Sequence, residues 1–265
     1  MTKELETAIA AAKAAGEVAR ASFGRLQSVE HKGEAHLVVE ADKRAEQKIK
    51  EVLGEAFPDY GILAEEGGET EGEGNARWIV DPIDGTTNYA HGVPFFVTSI
   101  ALKRAGKVVL GVVHDPMRQE TYAAERGNGA TLNSESIRVS GTNDPAQALL
   151  GTSYPDKPEE MSVGLDLFGR FSNLGRGMRR LGSGALDLCY VAAGVLIVEE
   201  AGGEVTNYQG SKVDLEEGKQ GLVASNTILH QSLVDITNQE RVLQRAEIWG
   251  AEVKSVTLPA PAYAA

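Results

Sequence analysis

The chain has 265 residues, of which 42% are hydrophobic and 24% charged, and its net charge is −12 at pH 7. A chain of this length buries about 70–75% of its unfolded surface without covalent staples, and its one cysteine, Cys189, excludes a disulfide framework and a cysteine-rich zinc site. The acidic balance argues against nucleic acid or an anionic membrane as partner; an anionic substrate stays open, because bound divalent cations invert the local sign.

The first twenty residues are charged and alanine-rich and lack the apolar segment of a secretory leader. No apolar run approaches the ~18 residues of a membrane span, so the expectation is a soluble cytoplasmic protein. Leu5, Ile9, Ala12, Ala15, Ala19 and Phe23 recur at helical spacing and predict a first helix. After a short apolar run, Leu37–Val39, the stretch Asp42–Leu53 predicts a second helix with Ala45, Ile49, Val52 and Leu53 inward and Pro58 beyond its end. Residues 66–75 read as an acidic, glycine-rich loop.

From Arg77 the pattern turns to strands. WIVDPID is one, FVTSIALKR and KVVLGVVHD form a hairpin about Ala105-Gly106, and QETYAAER and SIRVS extend the antiparallel run. LLGTSYP opens a second half as a strand, followed by a helix near Leu165–Phe171, an apolar helical stretch from Ala185 to Ala201, and strands at EVTNY and GLVAS. Leu186, Leu188, Val191, Val195, Leu196, Ile197 and Val198 lie all round that stretch, which predicts one buried helix or two broken near Gly194. The expected organisation is an α+β fold of two α/β subdomains, residues 1–145 and 146–234, with 235–265 as a loose tail.

The chemistry concentrates in Asp81-Pro82-Ile83-Asp84-Gly85-Thr86-Thr87-Asn88. Two carboxylates close an apolar strand, Pro82 stiffens the bend and Gly85 permits close approach of a ligand to the backbone. Glu65 and Glu66 follow another short apolar run, Ile62–Ala64. Carboxylates at strand ends are hard oxygen ligands, suited to Mg²⁺ rather than zinc.

This run, with Ala64-Glu65-Glu66, Ala41-Asp42, Leu181-Gly182-Ser183, DPMRQETYAAERGNGATLN and Glu199-Glu200-Ala201-Gly202-Gly203, resembles the inositol monophosphatases of the lithium-sensitive, metal-dependent sugar phosphatase superfamily. The resemblance implies a layered αβαβα fold, a homodimer and Mg²⁺-dependent hydrolysis of a small phosphate monoester, inositol monophosphate first; fructose 1,6-bisphosphate and nucleotide phosphates are the alternatives. It implies Glu65, Asp81 and the Ile83 carbonyl as ligands of one Mg²⁺, with Asp81 and Asp84 on a second. Thr86 with Asp42 resembles a water-orienting pair and makes them, with Glu65, the catalytic candidates. Asp84, Gly85, Thr86, Ser183 and Gly184 match substrate-binding positions. Cys189, in an apolar run, reads as a structural thiol. His91 reads as a surface or supporting residue, and Lys32 as either a phosphate contact or a solvated lysine.

The likeness breaks after Gly194. Val191-Ala192-Ala193-Gly194 runs straight into Val195-Leu196-Ile197-Val198-Glu199. The family pattern places roughly two dozen residues between two similar Ala-Ala-Gly texts. The absent text includes a Trp-Asp motif whose Asp is expected on the second metal, and an acidic sugar contact. Two alignments compete at the join: Tyr190 is an ordinary helix residue in one and stands in place of that Asp in the other. Neither restores a carboxylate, and Asp187 is the nearest acid in sequence. Impaired turnover, or a metal- or phosphate-binding role without turnover, is therefore the rival expectation.

Overall fold

The computed structural model describes residues 1–25, 29–32, 36–152, 165, 167–192, 194–213 and 222–248, with side chains outside the description at 29–32, 36–39, 190–192, 194 and 238–248. Helix α1 (Lys3–Ser22) starts where the Thr2 side chain accepts from the Leu5 amide at 3.3 Å, and Glu4 and Glu6 complement its first turn. Its inward face is built from small residues, Ala8, Ala11, Ala12, Ala15, Gly16 and Ala19, so the helix lies close against its neighbours. A hairpin of β1 (Val29–Lys32) and β2 (His36–Val39) leads into α2 (Glu40–Ala56), which buries Ala45, Ile49 and Leu53.

Eight strands then form the main sheet. They are β3 (Gly61–Ala64), β4 (Gly68–Thr70), β5 (Ala76–Asp84), β6 (Val97–Arg104), β7 (Lys107–Asp115), β8 (Glu120–Glu125), β9 (Ala130–Leu132) and β10 (Glu135–Ile137). A five-residue helix, α3 (Thr86–Ala90), interrupts them after β5. The spatial order is β10-β9-β8-β7-β6-β5-β3-β4, antiparallel throughout except between β3 and β5. Alternation along each strand feeds two cores. Trp78, Ile100, Leu102, Leu110 and Val112 face α1 and α2. Val97, Val113, Tyr122 and Ala124 face the other way, onto α5 (Gly184–Ala192) and α6 (Gly194–Glu200), where Leu186, Cys189, Leu196, Ile197 and Val198 meet them.

Beyond α5 and α6 lies an antiparallel pair, β13 (Gly203–Asn207) and β14 (Leu222–Asn226), and beyond that α7 (Thr227–Ile248). The layers are thus helix, sheet, helix, sheet, helix. The second half also holds α4 (residues 167–172) and a short parallel pair, β11 (Leu150–Gly151) with β12 (Met178–Arg179). Glu200 ties the layers together: its two carboxylate oxygens accept from the Gly127 and Gly129 amides at 2.9 and 3.0 Å, pinning the β8–β9 turn to α6. No helix among the described residues is long and apolar enough to cross a membrane.

Four expectations change. The loop expected at 66–75 carries a short strand, β4, paired antiparallel with β3. The strand expected at SIRVS is β10 and stops at Ile137, because the Val139 amide donates to the Ala201 carbonyl instead of to a strand. The strand expected at LLGTSYP is only Leu150–Gly151; its last residues lie outside the described ones. The tail expected to be loose from residue 235 is helical as far as Ile248. Leu229, Leu233, Val234 and Thr237 anchor the first turns of α7, and the following run of Gln, Glu, Arg, Leu and Ala is made of good helix formers. The apolar stretch at 185–201 is helical over Gly184–Ala192 and Gly194–Glu200; the choice between one helix and two falls on residue 193, which lies outside the described residues.

Gly16 shows how tightly α1 is seated. Alanine normally stabilises a helix interior by about 1 kcal/mol relative to glycine. Here a methyl on Gly16 would stand 2.6 Å from His114 Cδ2 and 3.1 Å from Pro116 Cβ, and the His114 ring is buried and bonded to Thr121 at 3.0 Å. Gly16→Ala is therefore expected to destabilise the chain by about 1–3 kcal/mol, read as a lower urea midpoint at unchanged slope. A raised midpoint would show that α1 has room to shift.

Candidate active site

In an unbroken strand, residues three apart point to opposite faces. Asp81 and Asp84 escape this because β5 carries an extra residue. Asp81 pairs with Ser99 and Asp84 with Val97, so three steps along β5 face two along β6. The bulge falls at Pro82-Ile83, where proline has no amide to contribute to the ladder. Thr98 Oγ1 donates to the Pro82 carbonyl at 2.9 Å and holds the bend from the neighbouring strand. The outcome is that two acidic side chains share one side of the strand end.

Two further carboxylates join them. β3 runs parallel to β5 with Ala64 opposite Val80, so Glu65 leaves the sheet beside Asp81 and hydrogen-bonds to it. Asp42, 1% exposed, sits in the first turn of α2, close enough for its charge to act on Asp81. Burial pushes the Asp81 carboxyl well above the usual carboxylate range, and the charges of Asp84, Glu65 and Asp42 push it further. Its Oδ1 is buried without a hydrogen-bond partner. Burial also raises Asp84, against the Ser183 hydroxyl and the Ala185 and Gly184 amides, which favour its charged form.

Asp84 reaches across to the second half of the chain. Its Oδ2 accepts from Ser183 Oγ at 2.6 Å and from the Ala185 amide at 2.7 Å, so it closes the N-terminus of α5. Ser183 in turn accepts from the Leu186 amide at 3.2 Å. Asn88, four residues after Asp84, makes the matching link: its Nδ2 donates to the carbonyls of Phe95 at 2.8 Å and Leu181 at 2.6 Å. Gly182 packs against Asn88 with φ +82°, leaving no room for a side chain.

Gly85 caps α3 with φ 102°, and a methyl there would lie 2.8 Å from the Phe95 carbonyl oxygen, so glycine is required on both counts. Thr86 Oγ1 donates to the Ile83 carbonyl at 3.0 Å, which joins the residue expected to orient water to the carbonyl expected to hold metal. His91 is exposed, with Nδ1 against the Thr87 carbonyl at 2.8 Å. Cys189 is buried, and burial and nearby carboxylates keep its thiol protonated. The Lys32 and Tyr190 side chains lie outside the described ones.

The sequence reading thus picked out Asp42, Glu65, Asp81, Asp84, Thr86 and Ser183, and all lie around the end of β5. It gave no role to Thr98 or to Asn88, whose hydrogen bonds cross between segments distant in sequence. Among the described residues, no group of three or more acidic, histidine or cysteine side chains forms a ready-made cation cage. Glu65 is turned to Asp81 and Asp84 to α5. The donors nevertheless suit a hard cation: all are carboxylates, they repel one another, and one buried oxygen on Asp81 has no partner.

The sequence profile of the inositol monophosphatase family matches residues 1–196 and again 191–242. The chain belongs to the inositol monophosphatase family. It is 40% identical to the Nus factor SuhB of Pseudomonas aeruginosa over 260 aligned positions, covering 88% of this chain and 95% of that protein. It is 38% identical to an inositol-1-monophosphatase of Mesorhizobium japonicum, covering 87% of this chain and 94% of that protein. Among solved structures, the extragenic suppressor protein suhB of Bartonella henselae superposes with a TM-score of 0.85 at 36% identity, over 90% of this chain and 99% of that one. The Thermotoga maritima IMPase gives 0.82 at 32%, over 92% and 99%.

Within the inositol monophosphatase family this member is short at one place. The two profile matches overlap at residues 191–196, so the same six residues fit two positions of the family pattern. The alignment to the Pseudomonas protein spans 260 positions, whereas 88% of a 265-residue chain is about 233 residues. About 27 positions filled in the relative therefore have no counterpart here, in keeping with the expected gap of roughly two dozen.

Asp187, the acid nearest the join, is held in the α5 first turn. Burial raises its carboxyl from 3.8 to about 6; a hydrogen bond from the Leu181 amide opposes this, the Asp84 charge adds to it, and Arg180 opposes it. Its Oδ2 is buried without a hydrogen bond. The folded chain keeps this proton up to about pH 6, while the unfolded chain loses it near 3.8. The neutral acid's contribution to stability is therefore complete below pH 3.8 and is lost as the pH rises to about 6. Asp187→Asn, with chelator present, is expected to remove that fall and to melt higher than wild type at pH 7.5. Parallel pH–stability curves for the two would refute the assignment.

Proposed function

We propose that this chain is a Mg²⁺-dependent phosphatase of small phosphate monoesters, with inositol monophosphate as its first substrate. One observation carries the proposal: the β5 bulge gathers Asp42, Glu65, Asp81 and Asp84 around one strand end in a member of this family. Glu65, Asp81, Asp84 and the Ile83 carbonyl would hold the metal. When bound there, divalent cations neutralise the phosphate dianion and make a bound water more acidic.

The chain's own groups supply the rest. Thr86 and Asp42 would orient the attacking water once the Thr86 hydroxyl, which donates to the Ile83 carbonyl in the unliganded chain, turns to Asp42, which would then accept the water's proton through it. The amides of Gly85 and Thr86 face the phosphate, at a turn that only glycine can make without strain. Ser183 and Gly184, at the start of α5, bind substrate hydroxyls; in the unliganded chain both are bonded to Asp84. Asn88 fixes the Leu181–Gly184 segment over the phosphate end through its bond to the Leu181 carbonyl.

The absent segment favours weak turnover. The expected second-metal Asp has no counterpart, and Asp187 faces Leu181 and Arg180 in α5. Loss of one electrostatic contact of this kind costs about 2.7–4 kcal/mol, or 10²–10³ in rate. Turnover of inositol monophosphate is expected to be low and to demand high Mg²⁺, and Asp81→Asn is expected to abolish it. A version with the missing segment restored is expected to be about 10²–10³ faster at low Mg²⁺. Equal rates and equal Mg²⁺ demand in the two would show that another carboxylate has replaced the lost one. No turnover in either would leave a binding protein on a phosphatase scaffold.

A further inference from the structure

Asp42 is not the only buried carboxylate on α2. Glu46, one turn later on the same face, is 5% exposed. Its Oε2 accepts from the Glu66 amide at 2.8 Å and from the Gly67 amide at 3.1 Å, the two peptide groups that follow Glu65. Its Oε1 meets Lys50 Nζ at 2.7 Å, and the Lys50 side chain is itself only 24% exposed. A methyl on Gly67 would run into both Glu46 Oε1 and Lys50 Nζ, so the backbone at Gly67 lies directly on the pair. α2 therefore grips the chain just past the β3 end through a charged side chain.

We propose that Glu46 is a positioning residue that sets where Glu65 stands beside Asp81, and hence the cation affinity of the strand-end carboxylates. The inference rests on the metal reading above. The physical case lies in the choice of residue. A buried glutamate costs several kcal/mol unless its charge is compensated. Here two amide donors and one ammonium compensate it, and charge-assisted bonds of this kind are about twice as strong as neutral ones. The residue carries no charge into the acidic nest, because Lys50 balances it. Its effect is geometric: Glu65 follows β3 directly and its next two amides are clamped, so its side chain leaves from a backbone held on both sides.

Three variants test this by titration calorimetry with Mn²⁺ and Mg²⁺, by amide exchange at Glu66 and Gly67, and by turnover against Mg²⁺ concentration. Glu46→Ala is expected to weaken cation uptake by about 10–100-fold, the range for groups that orient ligands, and to expose both amides to exchange. The double variant E46Q/K50Q keeps a carbonyl oxygen for the two amides and an acceptor for the new amide group, and it is expected to recover most of the loss. Gly67→Ala, which leaves Glu46 in place but displaces the pair, is expected to weaken uptake in the same direction. Wild-type protein that takes up neither cation would overturn the metal reading and this inference with it. Wild-type uptake, matched by unchanged uptake in a folded E46A or G67A, would overturn the inference alone. If E46A does not fold, uptake by E46Q/K50Q and G67A decides: weakening in G67A with recovery in the double variant supports it, and wild-type affinity in G67A refutes it.

Discussion

An extra residue in β5 governs the rest of the site. Without the bulge at Pro82-Ile83, Asp81 and Asp84 would stand on opposite faces of the sheet, one in the core under α1 and α2 and the other toward α5. A carboxylate delivered to either core alone would carry an uncompensated desolvation cost of several kcal/mol. Placing both on one side concentrates the cost at a single spot, and Glu65 and Asp42 enlarge it. The fold supports this with rigid surroundings: Thr98 holds the bend, the seat of α1 is shaped for Gly16 alone, and β3 aligns Glu65 from a parallel neighbour. A strand end crowded with like charges is poor for stability and good for attracting a cation.

Much of this was legible in the sequence for a definite reason. The strand alternation in WIVDPID and its neighbours, the helical spacing from Leu5 to Phe23, and the Asp-Pro-Ile-Asp-Gly-Thr-Thr-Asn run are local patterns, and each stays within one element. Resemblance to the family then ordered them into layers. The contacts that escaped are those set by partners distant in sequence. Glu46 reads as one more polar helix residue until the Glu66 and Gly67 amides are seen upon it. Asn88 is part of a legible motif, but its bond to Leu181 spans 93 residues. The diversion of the Val139 amide to Ala201, which ends β10, was equally invisible. The C-terminal helix is hard to read for another reason: LPAPAYAA carries no periodicity, and past Asp235 the apolar residues thin out among Gln, Glu and Arg.

The join between α5 and α6 is where the sequence departed from its family, and the core explains how the chain accommodates it. Leu186 and Cys189 before the join, and Leu196, Ile197 and Val198 after it, enter one cluster with Val97, Val113 and Tyr122 from the main sheet. The helical segments Gly184–Ala192 and Gly194–Glu200 pack where the family pattern has room for a longer excursion between them. Burial of apolar side chains needs no particular connection, so this layer can close over the sheet with fewer residues. Apolar packing cannot stand in for a carboxylate in the same way, because a cation answers to the identity and place of each oxygen.

The bond between Asp84 and the start of α5 carries a thermodynamic consequence. A cation that took Asp84 through Oδ2 would compete with Ser183 and the Ala185 amide for that oxygen, and loading it would then uncap the helix. The loss of a side-chain cap is worth about 0.5–2 kcal/mol, and that amount is subtracted from the ion's affinity. Linkage makes the trade reciprocal: whatever strengthens the first turn of α5 lowers the pull on the ion, and whatever loosens it raises that pull. Under the proposed metal role, the grip on the cation would then be tuned from residues that never touch it, at the front of the helix that follows Ser183.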